Sequence, residues 1–396
     1  MKCTIILAAC IAFVQAAPLV SHAVNGKPIP DSYIVVLKDG QTATNFAPKF
    51  NTIGQRHNAR GGAKPKIIRE YKAIPGFHAT FNAAALKELQ ASPEVEYIEQ
   101  DAIITIKAEQ AKPPSWGLTR VSQQELDLTK PFVYNDAAGS GITAYIVDTG
   151  IFAEHSDFKG RAKFGANFIE GSKDTDENGH GTHVAGTIGG TEYGVAKKAN
   201  LVGVKVLDAE GSGATSGVVA GMDWVAENAA AGKSVVNMSL GGGKSKAIDD
   251  AAGRLFAKNI PLIVAAGNDE NADACDGSPS GAENTFTVAA SDNKDQTASF
   301  TSFGKCVEIF GPGVDITSAW IGGADAKKTI SGTSMATPHV VGVAALYLSE
   351  GGLDTAQALF DKLTSTATAD KIQGELKGSP NKLVFSGNAG GNSTRF

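Results

Sequence analysis

Three residues along the 396-residue chain carry side chains that could act together in nucleophilic catalysis, namely Asp148, His180 and Ser334. A serine hydroxyl is a weak nucleophile near neutral pH and needs a base to take its proton. An imidazole can be that base, and a carboxylate beside it fixes its tautomer and stabilises the imidazolium that forms. The three residue types together therefore predict a serine nucleophile that is activated by a histidine.

Each of the three residues stands at the end of a segment with a regular pattern. Asp148 follows the apolar run 142–147, which predicts a buried strand. His180 precedes a stretch of small residues, and Ser334 precedes an apolar helix predicted over 340–348. Functional side chains gather at the carboxyl ends of the strands of a parallel sheet. We therefore expect the three to converge, although each taken alone has an ordinary structural alternative as a turn, packing or capping residue.

The chain from Ser115 onward alternates short apolar runs with Ala-rich helical stretches. This alternation is typical of a mostly parallel sheet covered by helices on both faces. We therefore predict an α/β fold with a mostly parallel central sheet. The predicted strands are 142–147, 201–207, 235–240 and 262–266, and the predicted helices are 216–231 and 247–259.

A fourth polar residue, Asn268, follows the small residues 265–267 at the end of another predicted strand. Its side-chain amide can donate a hydrogen bond to the oxyanion that forms when a nucleophile attacks a carbonyl. Ser334 at the start of a helix adds backbone N–H donors and the positive end of the helix dipole. Four such residues at segment ends, in the order Asp, His, Asn and Ser, indicate a catalytic site.

The motifs around these residues resemble those of the subtilisin-like serine proteases, and the surrounding sequence most resembles the proteinase K-like branch secreted by fungi. The order Asp, His, Ser is that of subtilisin. The likeness is densest at residues 148–150, 180–183, 264–268 and 332–339, and it extends over residues 116–383. The resemblance implies a secreted serine endopeptidase of broad, apolar-leaning specificity.

The resemblance assigns a role to each of the four polar residues. Ser334 would attack the scissile carbonyl, and His180 would act as general base and then as the acid that protonates the leaving amine. Asp148 would orient His180. The oxyanion would be held by Asn268 and by the backbone N–H of Ser334.

Two glycine-bearing segments resemble those that flank the substrate in this family. Glycine lets an extended peptide approach closely and pair as an added strand. Small residues after the strand at 262–266 imply a roomy, apolar specificity pocket. The implied substrate-binding residues are Gly211, Ser212, Gly213, Ser239, Leu240, Gly241, Ala265 and Gly267. For residues 211–213 taken alone, ordinary loop glycines are the alternative.

The resemblance also implies a structural calcium ion and no cofactor for catalysis. The family's ligands are backbone carbonyls and one carboxylate, and they fall on Glu283, Thr285 and Glu308. Calcium accepts oxygen ligands of both kinds. The family has an aspartate where this chain has Glu308, which is one methylene longer, so an ordinary surface glutamate is the alternative.

The first residues of the chain predict a secretory signal over 1–16. Lys2 is followed by about a dozen apolar residues and a small-residue ending at Ala16, which is the pattern of such signals. We therefore expect a secreted, extracellular protein. No later stretch reaches the roughly 18 uninterrupted apolar residues of a membrane span, so we expect no membrane partner.

Residues 17–107 predict a small α+β ferredoxin-like domain that resembles the family's inhibitory propeptide. The predicted strands are 33–37, 77–81, 95–99 and 103–106, and the predicted helix is 83–90. The polar, proline-bearing stretch 107–114 predicts a linker. We expect the catalytic domain over 108–396, and self-cleavage between Ile106 and Ala111.

Removal of the signal would take Cys3 and Cys10 away and leave Cys275 and Cys306. Two cysteines in an oxidising compartment most simply form one disulfide, and two buried free thiols are the alternative. A related group of the family has a disulfide at these positions, which favours the bond.

The chain has 36 Lys+Arg and 41 Asp+Glu, a formal net charge of −5, which gives no reason to expect a nucleic-acid partner. We expect protein and peptide substrates, the propeptide as an intramolecular inhibitor, and a monomer. Two alternatives stay open: a selective processing protease, and an inactive relative that acts as a binding module. Asn392 in the Gly-rich tail is a candidate for glycosylation.

Overall fold

The computed structural model describes residues 16–20, 27–57, 65–71, 74–103 and 107–387. The chain divides into two compact units, Met1–Thr105 and Ile106–Phe396. Most of the predicted signal, the end of the strand predicted over 103–106, and Asn392 lie outside the described residues. Within the described part, no helix is both long and apolar enough to cross a bilayer.

The N-terminal unit is a five-stranded sheet with two helices. Its strands are β1 (Leu19–Val20), β2 (Lys27–Leu37), β3 (Lys66–Glu70), β4 (Gly76–Thr80) and β5 (Val95–Ile103), and its helices are α1 (Ala43–His57) and α2 (Ala83–Gln90). The order across the sheet is β1-β5-β2-β4-β3. The helices and the sheet share one apolar core, in which Phe50 packs edge-on against Phe77 and Phe81.

Local sequence explains this unit well. Phe77 and Ala79 of β4 are buried while their neighbours His78 and Thr80 are partly exposed, which is the alternation of a half-buried strand. Helix α2 has the bounds predicted for it, because the Asn82 side chain accepts from the Ala85 N–H and caps the first turn. The strand predicted at 95–99 is longer than expected, because β5 extends as far as Ile103.

The prediction of a linker over 107–114 was wrong for its first half. Residues Lys107–Gln110 form strand β6, which pairs antiparallel with β7 (Phe132–Asn135) inside the second unit. Strand pairing is made by backbone hydrogen bonds, and a two-stranded ribbon at the surface needs no apolar alternation. The polar sequence therefore concealed the strand.

The second unit is built on a nine-stranded sheet whose pairs are all parallel, apart from the antiparallel pair at one edge. Its order is β19-β20-β16-β15-β13-β11-β8-β10-β9. Its strands are β8 (Thr143–Asp148), β9 (Ala162–Asn167), β10 (Asn200–Lys205), β11 (Ser234–Met238), β13 (Leu262–Ala265), β15 (Phe286–Ser291), β16 (Ile309–Pro312), β19 (Thr368–Ala369) and β20 (Lys382–Leu383). Two short ribbons complete the strands: β12 (Gly242–Gly243) with β14 (Gly277–Ser278), and β17 (Ile316–Ala319) with β18 (Lys327–Ile330).

Helices cover both faces of this sheet, as the alternation of segments predicts. They are α3 (Trp116–Val121), α4 (His180–Gly189), α5 (Thr215–Asn228), α6 (Lys246–Ala257), α7 (Thr333–Ser349) and α8 (Ala356–Thr366). Successive residues of β8 point to opposite faces: Ile146 packs in the cluster with α4, α7 and α8, whereas Tyr145 and Val147 pack in the cluster with α5 and α6. Apolar residues on both faces explain why the strands read as unbroken apolar runs.

Candidate active site

The predicted polar residues stand at one end of the central sheet. Asp148 is the last residue of β8, and Asn268 lies three residues beyond β13. His180 is the first residue of α4, and Ser334 is the second residue of α7. The helix predicted over 340–348 thus begins earlier, at Thr333, and places Ser334 in its first turn. The N–H groups of that turn have no partner within the helix.

Asp148 and His180 are in direct contact. His180 Nδ1 lies 2.7 Å from Asp148 Oδ1, which also accepts the Thr149 N–H at 2.7 Å. Asp148 is fully buried, whereas a quarter of the His180 side chain is exposed. Burial opposes protonation of His180, but the charge and hydrogen bond of Asp148 outweigh it and raise the pKa of His180 above its ordinary value. The imidazole is therefore an oriented base with increased basicity.

Ser334 is held by a reciprocal pair of hydrogen bonds. Its Oγ donates to the Ser239 carbonyl, and Ser239 Oγ donates to the Ser334 carbonyl, both at 3.0 Å. Asn237 at the end of β11 donates to Ser239 Oγ at 3.0 Å. Within the described residues no hydrogen bond joins Ser334 Oγ to His180. Catalytic hydrogen bonds are often long or absent before substrate binds.

The Asn268 amide has a fixed orientation. Its Oδ1 accepts from the Thr333 N–H at 2.8 Å and from Thr333 Oγ1 at 2.9 Å. Since the oxygen is engaged, the Nδ2 group is the donor left to face a ligand. A Cβ at Gly332 would lie 3.5 Å from this Nδ2. Asn268 and the first turn of α7 therefore present donors from adjacent positions.

A cleft of about 530 Å³ opens beside Ser334. It contains six of the predicted site residues: Leu240, Gly241, Ala265, Gly267, Asn268 and Ser334. Three carboxylates, Asp269, Asp273 and Asp276, also line it and were missed by the sequence analysis. Asp269 lies in a loop, whereas Asp273 caps and Asp276 ends the single-turn 3₁₀-helix Ala274–Asp276. Such short elements have no periodic pattern that indicates which side chains turn inward.

Residues 211–213 do not line this cleft. They lie in an exposed turn, where Asp208 Oδ1 accepts the Glu210 and Ser212 N–H groups. Asn178, two residues before His180, donates to the Ala209 carbonyl at 2.8 Å and ties this turn to the start of α4. A Cβ at Gly213 would lie 2.1 Å from the Val206 carbonyl, so glycine is required there by close packing.

The three residues of the predicted calcium site directly precede two neighbouring strands: Glu283 and Thr285 come before β15, and Glu308 comes before β16. Glu308 Oε2 accepts the Thr287 N–H at 2.5 Å, and burial raises the pKa of Glu308 to about 8. No ion pair to Glu308 occurs within the described residues. No group of three or more His, Cys, Asp or Glu that could hold a metal occurs in the described part of the chain. A desolvated carboxylate without a cationic partner fits a cation ligand.

Cys275 and Cys306 form a disulfide with their Cα atoms 5.3 Å apart, as the sequence predicts. The bond joins the segment that carries Asp273 and Asp276 to the segment before β16. The bond closes a loop of 31 residues. In the chain-entropy model this raises the free energy of the unfolded state by about 3.5 kcal/mol. One wall of the cleft is thereby anchored.

The chain is similar to known proteins over most of its length. The model of the subtilase family matches residues 139–383, and the model of the peptidase inhibitor I9 domain matches residues 32–107. The chain is 44% identical over 394 residues to subtilisin-like protease 2 of Pseudogymnoascus destructans, covering 97% of this chain and 98% of that protein. It is 44% identical over 395 residues to a cuticle-degrading serine protease of Arthrobotrys oligospora, covering 96% of each.

A solved structure is also similar. The crystal structure of a cold-adapted subtilisin-like serine proteinase matches with 49% sequence identity and a TM-score of 0.65. The match covers 68% of this chain and 97% of that chain.

Proposed function

This chain belongs to the subtilase family of serine proteases and is therefore a hydrolase. We propose that it is an endopeptidase acting through Asp148, His180 and Ser334. The observation that carries the proposal is the 2.7 Å contact of His180 with the buried Asp148. Ser334 stands in the first turn of α7 and bonds to Ser239, which follows β11, the strand that pairs with the β8 of Asp148. It lines a cleft large enough for a side chain of the substrate. The arrangement supplies a nucleophile, a base and a carboxylate that orients the base.

The first step requires the Ser334 hydroxyl to leave the Ser239 carbonyl and turn toward His180. His180 Nε2 then takes the hydroxyl proton while Oγ forms a bond to the substrate carbonyl carbon. The carbonyl π electrons move to its oxygen and make a tetrahedral oxyanion. Asp148 stays ionised and stabilises the imidazolium, which gives the proton to the leaving amine as the oxyanion collapses and the C–N bond breaks. Water then attacks the acyl group on Ser334 with His180 again as the base, and collapse of this second oxyanion releases the acid product and restores the Ser334 hydroxyl.

Two donors are suited to the developing oxyanion. Asn268 Nδ2 is free because Thr333 occupies Oδ1, and the Ser334 N–H belongs to the first turn of α7. Donors that are fixed before the reaction stabilise the charge without reorganising when it forms. We propose that these two groups form the oxyanion hole.

The specificity that we propose is broad and apolar-leaning. Ala265, Ala266 and Gly267 form small, uncharged parts of the cleft wall, and they give little basis for selecting one side chain. The same cleft is also lined by the carboxylates Asp269, Asp273 and Asp276, so a strong preference for basic residues among the products would favour the selective alternative. Leu240 and Gly241 face the same cleft from the end of β11. Residues 211–213 would flank the substrate on another side, next to the start of α4.

The N-terminal unit carries the inhibitor I9 domain, and inhibitor domains attached to a peptidase imply a zymogen. We propose that residues 17–107 are the propeptide, that the enzyme over 108–396 cuts itself between Ile106 and Ala111, and that residues 1–16 direct secretion. The mature enzyme is proposed to be a monomer that acts on protein and peptide substrates.

A structural calcium ion would be held by Glu308 and by the carbonyls of Glu283 and Thr285, and it would stabilise the fold rather than take part in the reaction.

Mass spectrometry of peptide products tests this proposal. The full chain is expressed with its signal, the secreted form is sequenced from its N-terminus, and it is incubated with a mixture of unstructured peptides beside the Ser334→Ala variant. We expect internal cuts after varied, mainly apolar residues for the wild type and none for the variant. An uncut peptide mixture with correctly processed wild type would contradict the proposal and favour a binding module.

A further inference from the structure

A second buried carboxylate, Asp176, lies next to the candidate active site. Its side chain is 5% exposed and accepts five hydrogen bonds. Oδ1 accepts from Thr149 Oγ1 at 2.9 Å, from the Asn178 N–H at 3.0 Å and from the Gly179 N–H at 2.8 Å. Oδ2 accepts from the Thr182 N–H at 2.9 Å and from Thr182 Oγ1 at 2.6 Å.

These five donors belong to two segments that are far apart in the sequence and become neighbours in the folded protein. Thr149 directly follows Asp148, whereas residues 178–182 surround His180 at the start of α4. Thr149 Oγ1 also accepts the Gly181 N–H at 2.9 Å, so the two segments are joined twice. A Cβ at Gly181 would lie 2.1 Å from the Gly150 carbonyl, which shows how closely they approach. One carboxylate therefore fixes both ends of the Asp148–His180 contact.

From these contacts we propose that Asp176 is a positioning residue for the hydrolytic reaction, acting through the geometry and the charge of the Asp148–His180 pair. This inference rests on the proposed function, because it requires His180 to be the base. Asp176 is not among the residues that line the cleft, and it acts on the reaction only through the residues that it holds.

The charged groups around the pair give the sign of the electrostatic effect. Asp148 and Asp176 both raise the pKa of His180, against its burial. Lys205 is buried at the end of β10, donates to the Thr149 carbonyl at 2.8 Å and lies 3.9 Å from Glu177 Oε2, so its charge is shared with an anion. His183 is neutral in the working range, since burial lowers its pKa to about 3. Removal of the Asp176 charge should therefore lower the pKa of His180.

An asparagine cannot replace this carboxylate. Asp176 uses both oxygens as acceptors, and an amide offers one oxygen and an NH₂ group that would face N–H and O–H donors. In Asp176→Asn the start of α4 must shift, and a displacement of about 1 Å in a catalytic group typically lowers turnover about 10²-fold. We expect kcat/KM to fall by about 10²-fold, mainly through kcat, because the cleft is unchanged.

The pH profile separates positioning from mere folding. His180 acts as a base only when it is unprotonated, so its pKa sets the acid limb of kcat/KM. With a lower His180 pKa, the acid limb of Asp176→Asn should move to lower pH than that of the wild type. A structural role alone would reduce the amount of active enzyme and leave the limb in place.

Asp157→Asn is a matched control. Asp157 is likewise a buried carboxylate at 6% exposure, and it accepts the Glu192 and Tyr193 N–H groups beyond the far end of α4. Its loss should lower the thermal midpoint and leave both kcat/KM per active site and the acid limb close to those of the wild type.

The test measures kcat/KM against pH for wild type, Asp176→Asn and Asp157→Asn, with active sites counted by a fluorophosphonate. Wild type that neither cleaves nor labels would refute the proposed function. Active wild type together with an Asp176→Asn profile that coincides with it would overturn the inference alone.

If Asp176→Asn fails to mature, the Thr149→Val variant tests the inference in its place, since it removes the shared hydroxyl without changing charge. It should lower kcat by about tenfold or more with an unmoved acid limb, and an unchanged kcat would overturn the inference.

Discussion

Helix α4 carries two histidines, one turn apart, in opposite surroundings. His180 begins the helix, stays a quarter exposed and contacts the Asp148 carboxylate at 2.7 Å. His183 is fully buried, and its Nε2 donates to the Ile316 carbonyl at 3.0 Å and to the Lys328 carbonyl at 3.1 Å. The same residue type thus meets a charge in one place and neutral carbonyls in the other.

The two environments move the pKa values in opposite directions. The charge of Asp148 overcomes burial and raises the pKa of His180, whereas burial lowers the pKa of His183 to about 3. A raised pKa suits a proton acceptor, and a lowered pKa keeps a packing residue neutral. We call Asp148, His180, Asn268 and Ser334 the reactive end, and the contacts of His183 the packed side. Substitutions at the reactive end should change turnover, and those on the packed side should change stability.

The largest expected effect is that of Ser334→Ala. Without the nucleophile no covalent intermediate forms, and turnover of a peptide substrate should fall by several orders of magnitude. The side chain is small and its loss leaves α7 intact. Because the variant cannot cut itself, added wild type cleaves it between Ile106 and Ala111, and its thermal midpoint should then change by only a few degrees. Turnover within tenfold of the wild type would refute the assignment of the nucleophile.

Asn268→Ala comes next. The loss of one oxyanion donor typically lowers kcat by about 10²–10³-fold, while KM should change little because the amide acts on the charge that forms in the transition state. Asn271→Ala, an exposed residue of the same loop, is the matched control and should retain full turnover. Near-normal kcat for Asn268→Ala would remove this residue from the proposed oxyanion hole.

His183→Ala should lower stability and leave turnover nearly unchanged, the reverse of what we expect for Asn268→Ala. It leaves the Ile316 and Lys328 carbonyls without their donor and opens a cavity, so the free energy of unfolding should fall by about 2–4 kcal/mol. The kcat per active site should stay within a few-fold of the wild type under conditions where the variant is folded. Chemical denaturation measures the first quantity and active-site titration the second. His180→Ala is the matched opposite, inactive but nearly as stable, and the same profile for both variants would remove the contrast.

The smallest expected effect is a slope of stability against pH. His183 stays neutral in the folded protein down to about pH 3, whereas an unfolded histidine takes up a proton near pH 6.5. Between these values the unfolded state binds more protons, so stability falls as the pH is lowered through this window. Buried His339, with its pKa lowered to about 4, adds to the same trend. His183→Gln should show a shallower slope in denaturation curves, and an equal slope would contradict this reading.

The contrast also explains which features could be predicted from sequence. Asp148 at the end of an apolar strand and Ser334 at the start of an apolar helix are visible because strand and helix periods are local. The small residues at 265–267 likewise predict a cleft. The disulfide was predicted from the two cysteines that remain after the signal, together with the resemblance to a group that has a disulfide at these positions.

Other features depend on contacts that no local pattern records. Asp176 lies four residues before His180, but its bond to Thr149 exists only because β8 and the start of α4 meet in the fold. The pairing of Lys107–Gln110 with Phe132–Asn135 is made by the backbone and needs no apolar alternation. Asp273 and Asp276 reach the cleft from one turn of 3₁₀-helix and its cap, which is too short for a periodic pattern to appear in the sequence.

Labelling with a fluorophosphonate tests the central proposal most directly. The reagent bonds to a serine only where a base activates the hydroxyl and donors stabilise the oxygen of the adduct. Processed wild type should gain one adduct, which peptide mass analysis places on Ser334. His180→Ala cannot cut itself, so added wild type cleaves it between Ile106 and Ala111, and it should then label far more slowly. An adduct on another serine, or no adduct on the folded and processed wild type, would contradict the assignment of Ser334, His180 and Asp148 as the catalytic group.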